Sequence, residues 1–258
     1  MNKKGFTISE AIITMGVIGI IAALTMPIFT AGYRKQVYAK SLSSIIGQLE
    51  TAMGVLLTEE YTDNLRETVA WKNLGAKALD SSAQSAKSDV FVGDLINVFY
   101  LIYDADKDSA SDYYTGLSVT KLSGDKIDLT KEDVFKDAVP FELKKGGTVF
   151  INILAFSKEV KLDKRDLLVL KKGGNLSKRA ANIIIDVNGT DKPNTIGRDI
   201  FKFILGVDGK LYPDGSLDVA IFNGTDNAYK APETLCNSTK DGYACAAYLM
   251  ENNFKMDY

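Results

Sequence analysis

Polar positions nearly vanish at the start of the chain. Ala11 to Phe29 is a run of 19 uncharged residues, mostly Ile, Ala, Val, Leu and Met. As an α-helix rising ~1.5 Å per residue it covers about 28 Å, close to the roughly 30 Å of bilayer hydrocarbon, so the pattern predicts a membrane-spanning helix. From Val37 the pattern turns amphipathic, with Leu42, Ile45, Ile46, Leu49, Ala52, Met53 and Leu56 at helical spacing and Lys40, Ser41, Ser43, Ser44, Gln48 and Glu50 between them. One helix over 6–57, softened at Pro27 and Gly32, would run about 78 Å, too long for a lone globular helix. Its first part, 6–30, belongs in a membrane or bundle, and its second, 31–57, packs on a domain.

Residues 58–258 alternate differently. A polar stretch over 58–90 reads as loop with a short helix near Leu65 to Leu79. Short apolar or alternating runs follow at Val90–Tyr103, Gly147–Phe156, Leu167–Leu170, Ala181–Val187, Ile200–Val207 and Leu217–Phe222, separated by Gly, Asn and Asp. Asp208-Gly209 between strand-like flanks signals a hairpin. Lys144-Lys145-Gly146-Gly147 and Lys171-Lys172-Gly173-Gly174 read as similar turns. The order predicts an α+β fold, a long N-terminal α-helix packed on an antiparallel β-sheet domain, with no linker marking a further domain.

Composition then narrows the chemistry. The chain has no histidine, which removes Ser-His-Asp and Cys-His catalysis, His-ligated zinc and the usual near-neutral proton shuttle. With 31 basic against 33 acidic residues there is no basic excess to neutralise a phosphate backbone, so nucleic acid is not an expected partner.

Glu10 is the one charge between Phe6 and Tyr33. A carboxylate carried to a bilayer centre costs on the order of 2.5–3.5 kcal/mol, less near the interface, so it calls for a cationic partner from another chain or a newly made amino group. Lys3-Lys4-Gly5-Phe6-Thr7-Ile8-Ser9-Glu10 resembles the type IV prepilin signal of pilins and type II secretion pseudopilins. Many members read Leu-Ile-Glu-Leu where this chain reads Ile-Ser-Glu-Ala. The resemblance implies a leader, 1–5, cut after Gly5 by a membrane-embedded prepilin peptidase, and N-methylation of Phe6. Glu10 then takes the family's glutamate position and Pro27 that of its helix-kinking proline. It further implies a pilin-like fold and an assembly role without catalysis, with other pilin or pseudopilin subunits, the inner membrane and an assembly platform as partners. The chain would sit in the inner (cytoplasmic) membrane as a single-pass protein with its C-terminal domain outside, then enter a pilus or pseudopilus at the cell surface or in the periplasm. Gly16, Gly19, Ala22 and Ala23 are small enough to let apolar helices approach closely, or are incidental.

Cys236 and Cys245 enclose eight residues and form no Cys-x-x-Cys motif. On the outer side of a membrane they read as a disulfide, and in a reducing compartment as two thiols. The resemblance adds that pilins often carry such a C-terminal disulfide loop.

Two acidic stretches invite a cation. Asp104, Asp106, Asp108 and Asp112 alternate as in an EF-hand loop, but Ser109 and Thr115 stand where that loop needs glycine and glutamate, so the stretch reads as solvated loop. Asp186, Asn188, Asp191 and Asp199 gather hard oxygen ligands of the kind Ca2+ takes around Gly189, Pro193 and Gly197, residues that equally make ordinary turns. Two rival readings complete the set. One is a membrane-anchored extracellular binding or adhesion domain that does not polymerise. The other is an enzyme using a carboxylate pair such as Asp186 and Asp191, disfavoured because nothing sets two carboxylates opposite a substrate.

Overall fold

One helix, α1 (Ile8–Glu59), carries both kinds of hydrophobic pattern. It is 52 residues long and continues through both Pro27 and Gly32. The structure, a computed structural model, describes residues 7–69, 71, 102–104, 110–132, 135, 138–143, 146–153, 179–216 and 232–258. The chain divides into two compact units, Met1–Val37 and Tyr38–Tyr258, so the boundary falls within α1.

The first unit contains a 19-residue segment, Ile8–Met26, with mean hydropathy 2.0 and no residue buried, long and apolar enough to cross a membrane. Both of its threonine hydroxyls are satisfied within the helix: Thr14 Oγ1 donates to the Glu10 carbonyl and Thr25 Oγ1 to that of Ile21, both at 2.9 Å. Such back-bonding removes the donors that hydrocarbon would leave unpaired.

The second unit begins with the amphipathic half of α1. Its C-terminus closes as a Schellman motif, with Thr62 N donating to Leu57 O at 3.1 Å and Tyr61 N to Thr58 O at 3.3 Å. Tyr61 takes the left-handed position there, φ 50°, where glycine is usual. A 3-10 turn, Leu65–Glu67, follows, where the sequence suggests a helix reaching toward Leu79. The rest of that expectation, apart from residues 68, 69 and 71, lies outside the described residues.

Six antiparallel strands form one sheet in chain order: β1 (Ile102–Asp104), β2 (Val139–Leu143), β3 (Thr148–Ile153), β4 (Arg179–Asp186), β5 (Ile200–Gly206) and β6 (Leu211–Pro213). A short helix, α2 (Ala110–Tyr113), lies between β1 and β2, while α3 (Pro232–Leu235) and α4 (Cys245–Glu251) close the chain. β3, β4 and β5 sit where alternation predicts strands. β2 was not marked in the sequence, and the runs at 167–170 and 217–222, with the second Lys-Lys-Gly-Gly turn, lie outside the described residues. Asp208-Gly209 does turn the chain between β5 and β6. Gly209 has φ 80°, and a Cβ there would stand 3.0 Å from that of Met53, so glycine answers both the turn and the close approach of α1.

The two-residue period of the strands gives the sheet two buried faces. Phe141, Val149, Ile185 and Phe201 are cross-strand neighbours, as are Ile151, Ile183 and Phe203. These join Leu42, Ile45, Ile46, Leu49, Met53 and Leu56 of α1 in one core. Fully burying a side chain of this size stabilises by about 1.5–3 kcal/mol, so this helix stripe is a substantial hold on the sheet. Phe150 and Ile184, of opposite parity, face a second core with Ala110, Tyr114, Val119, Phe135, Ile196 and Ile200.

At the β6 side, Lys210 O and Asp214 N bond to β5, so Leu211 and Pro213 face away from it. Leu211 N donates to Glu50 Oε1 at 2.9 Å, fastening α1 to this strand.

Candidate functional site

Three places carry the residues singled out by the sequence, beginning with the start of α1. Gly5 and Phe6 lie outside the described residues. Glu10 does not point away unsatisfied: its Oε2 accepts the Thr7 backbone N–H at 2.9 Å and the Thr7 hydroxyl at 2.7 Å. Glu10 N in turn donates to Thr7 Oγ1 at 3.2 Å. This reciprocal arrangement is a capping box, in which a Thr and the Glu three positions on satisfy each other's orphan helix-end groups. The Thr7-x-x-Glu10 spacing is the sequence signal for this local donor, which the expectation of an intermolecular cation does not include. Pro27 lies inside α1, one residue beyond the 19-residue apolar segment.

The second place is the C-terminus. Cys236 and Cys245 are bonded, with Sγ atoms 2.01 Å apart and both side chains buried. The loop they close is held against two others: Leu122 N donates to Asp241 O at 3.1 Å, and a Cβ on Gly242 would collide with the Ile196 carbonyl. Tyr258 OH donates to Gly197 O at 2.6 Å, tying the last residue to the same region.

The third place is the acidic turn between β4 and β5. Asp186 and Asp199 are buried side chains, whereas Asp191 is exposed. Asp186 Oδ1 accepts the backbone N–H groups of Asn188 and Gly189 at 3.2 and 2.9 Å, and Oδ2 accepts the Tyr114 hydroxyl at 2.5 Å. Asp199 accepts Thr195 N at 2.7 Å on one oxygen and Asn194 N at 2.8 Å on the other. Asn188 Nδ2 donates to the Asp191 carbonyl at 2.6 Å, and its buried Oδ1 has no hydrogen-bond partner. The two carboxylates thus hold the turn by capping its N–H groups, as aspartates do in Asx turns.

Burial pushes the Asp186 carboxyl well above the usual range, with the Asp199 charge adding to it. It also pushes Asp199 up to about 6, against its N–H donors. Tyr114 is driven far above the ordinary phenol range by the same burial and by Asp186, so its hydroxyl stays a donor. Asp186, Asn188, Asp191 and Asp199 therefore meet in one turn with their roles divided. Among the described residues no group of three or more His, Cys, Asp or Glu could hold a metal ion. In the EF-hand-like stretch, Asp112 and Thr115 are exposed, while Asp106 and Asp108 lie outside the described residues.

No protein-family model, curated protein or solved structure matches the chain.

Proposed function

We propose that the chain is a structural subunit, a type IV pilin or type II secretion pseudopilin, cut after Gly5 by a prepilin peptidase, N-methylated on Phe6 and assembled through α1. The observation that carries the proposal is the division of that helix. Ile8–Met26 is apolar with none of it buried, while Leu42 to Leu56 is buried against an antiparallel sheet. The signal-like string from Lys3 to Glu10 stands directly before the uncharged run Ala11 to Phe29. A helix so divided has one half for a bilayer or a bundle of like helices and one half for its own domain.

Glu10 then acts in two settings. In the single chain its carboxylate closes the capping box with Thr7. In a filament it accepts the Phe6 amine of a neighbouring subunit, an attraction stronger in apolar surroundings than in water and partly offset by desolvation.

Intact-mass analysis of the protein from its native membrane or sheared surface fraction tests the reading. The expected mass lacks Met1–Gly5, carries one added methyl and lacks two hydrogens for the Cys236–Cys245 bond. An unprocessed, unmethylated chain sinks the proposal. Glu10→Ala is expected to be cleaved normally but to assemble poorly, and normal polymerisation would refute the amine pairing.

A further inference from the structure

The loop closed by the disulfide carries a motif that neither the fold nor the assembly role uses. Asn237-Ser238-Thr239 is an Asn-x-Thr string, the acceptor pattern for N-linked sugar, and it lies between the two bonded cysteines. The pattern Asn-x-Ser or Asn-x-Thr occurs also at Asn175, Asn188 and Asn223, so the string alone does not select a site. Asn175 and Asn223 lie outside the described residues. Geometry separates the other two. Asn237 Oδ1 accepts the Thr239 hydroxyl at 2.6 Å and the Thr239 backbone N–H at 3.0 Å, an Asx turn closed by the same hydroxyl that defines the motif. Ser238, Thr239, Lys240 and Asp241 are all exposed, so an enzyme can meet this turn from outside. At Asn188, by contrast, Oδ1 is buried without a partner, Nδ2 donates to the Asp191 carbonyl at 2.6 Å, and Gly189 beside it is buried.

We propose that Asn237 is a glycosylation site that takes a sugar from a lipid-linked sugar phosphate on the outer side of the membrane. The inference rests on the topology within the function proposed above, which puts the disulfide loop on that side. In the transfer a bond forms between Asn237 Nδ2 and the anomeric carbon of the first sugar. The bond from that carbon to the carrier's phosphate oxygen breaks, the phosphate leaves with the electron pair, and one Nδ2 proton passes to a base of the transferase. An amide nitrogen carries two hydrogens. One serves the bond to Thr234 O at 3.0 Å, and substitution needs only the other. The two hydrogen bonds at Oδ1 draw electron density out of the amide and make its N–H more acidic, which eases the loss of the proton. The acceptor is also firmly placed, because Cys236 is buried in its disulfide and Leu122 N donates to Asp241 O at 3.1 Å.

Tryptic mapping of the protein from its native membrane or sheared surface fraction tests the site. Cleavage after Lys230 and Lys240 releases the peptide 231–240 once the disulfide is reduced. That peptide is expected to carry a sugar located on Asn237 by fragmentation, adding to the changes in intact mass given above. Asn237→Asp keeps an oxygen for the turn and lacks the amide nitrogen, so it should lose the sugar while the Cys236–Cys245 bond still forms. Thr239→Ala should lose the sugar too, whereas Thr239→Ser and Ser238→Ala should keep it. A bare wild-type peptide, a sugar carried on Ser238 or Thr239 instead, or a Thr239→Ala chain still modified on Asn237 overturns the site. The N-terminal peptide of the same digest keeps the two proposals apart. Bare Asn237 in a chain methylated on Phe6 overturns the glycosylation alone, and modified Asn237 in a chain uncut at Gly5 upholds the glycosylation while sinking the filament reading.

Discussion

Ile8–Met26 and Leu42–Leu56 are parts of one helix and are built from the same aliphatic side chains, yet none of the first segment is buried while the second is the spine of a core. The difference lies in what fills the other positions. In the second stretch Ser, Gln, Glu and Thr break the apolar residues into a stripe, and a sheet of matching parity covers it. In the first no polar face exists, and the segment is long and apolar enough to cross a membrane. Hydrophobicity alone thus says that a residue will be covered, and the polar residues around it say by what.

The contrast breaks most visibly at Leu42. Leu42→Ala should cost the body about 2–5 kcal/mol in urea denaturation of the full chain in detergent, whereas Ile18→Ala should leave the same transition where it is. Equal effects would erase the distinction between the halves. The acidic turn probes the other side of the sheet. A carboxyl whose native pKa lies above its unfolded value near 3.9 takes up a proton on folding, so the contribution of Asp199 is fully present below about pH 4. It fades as pH rises through about 6, the native value, by an amount of order 3 kcal/mol. Asp186 acts in the same direction. Asp199→Asn should flatten the stability profile between those pH values, and an unchanged profile would show that the N–H donors cancel the effect of burial. Replacing Cys236 and Cys245 together by Ser should lower stability by about 2–3 kcal/mol without moving the membrane segment out of vesicles. The smallest change expected is at Tyr61. Tyr61→Gly relieves a left-handed tyrosine that is 97% exposed, and should raise the melting midpoint by the equivalent of ~0.5–1 kcal/mol.

Much of this was legible in advance because the signals were local. The apolar run, the helical stripe from Leu42 and the Asp208-Gly209 turn depend only on neighbours in sequence, and each falls where its pattern put it. β2 was not legible, because Pro140 stands inside it and proline argues against a strand. Among the described residues β1 pairs with Phe141–Leu143 alone, so no described bond of that ladder calls on an N–H that Pro140 lacks. The roles of Asp186 and Asp199 were hidden for another reason. Their types and spacing suggest a cation, but Tyr114, 72 residues from Asp186, and the surrounding burial come from tertiary packing that no spacing rule contains. Nothing in the described residues bears on Gly5 and Phe6, whose part in the proposal rests on the sequence motif.

The fastening of β6 bears on how the molecule avoids aggregation. An open strand edge is a template on which another chain can grow a sheet. Here the outward donor of Leu211 is held by Glu50, Pro213 has no donor to offer, and the Pro213 carbonyl is taken by Ser216 N at 3.2 Å. This margin cannot readily recruit a foreign strand. Chains at high local concentration can then crowd without fusing sheet to sheet along this margin.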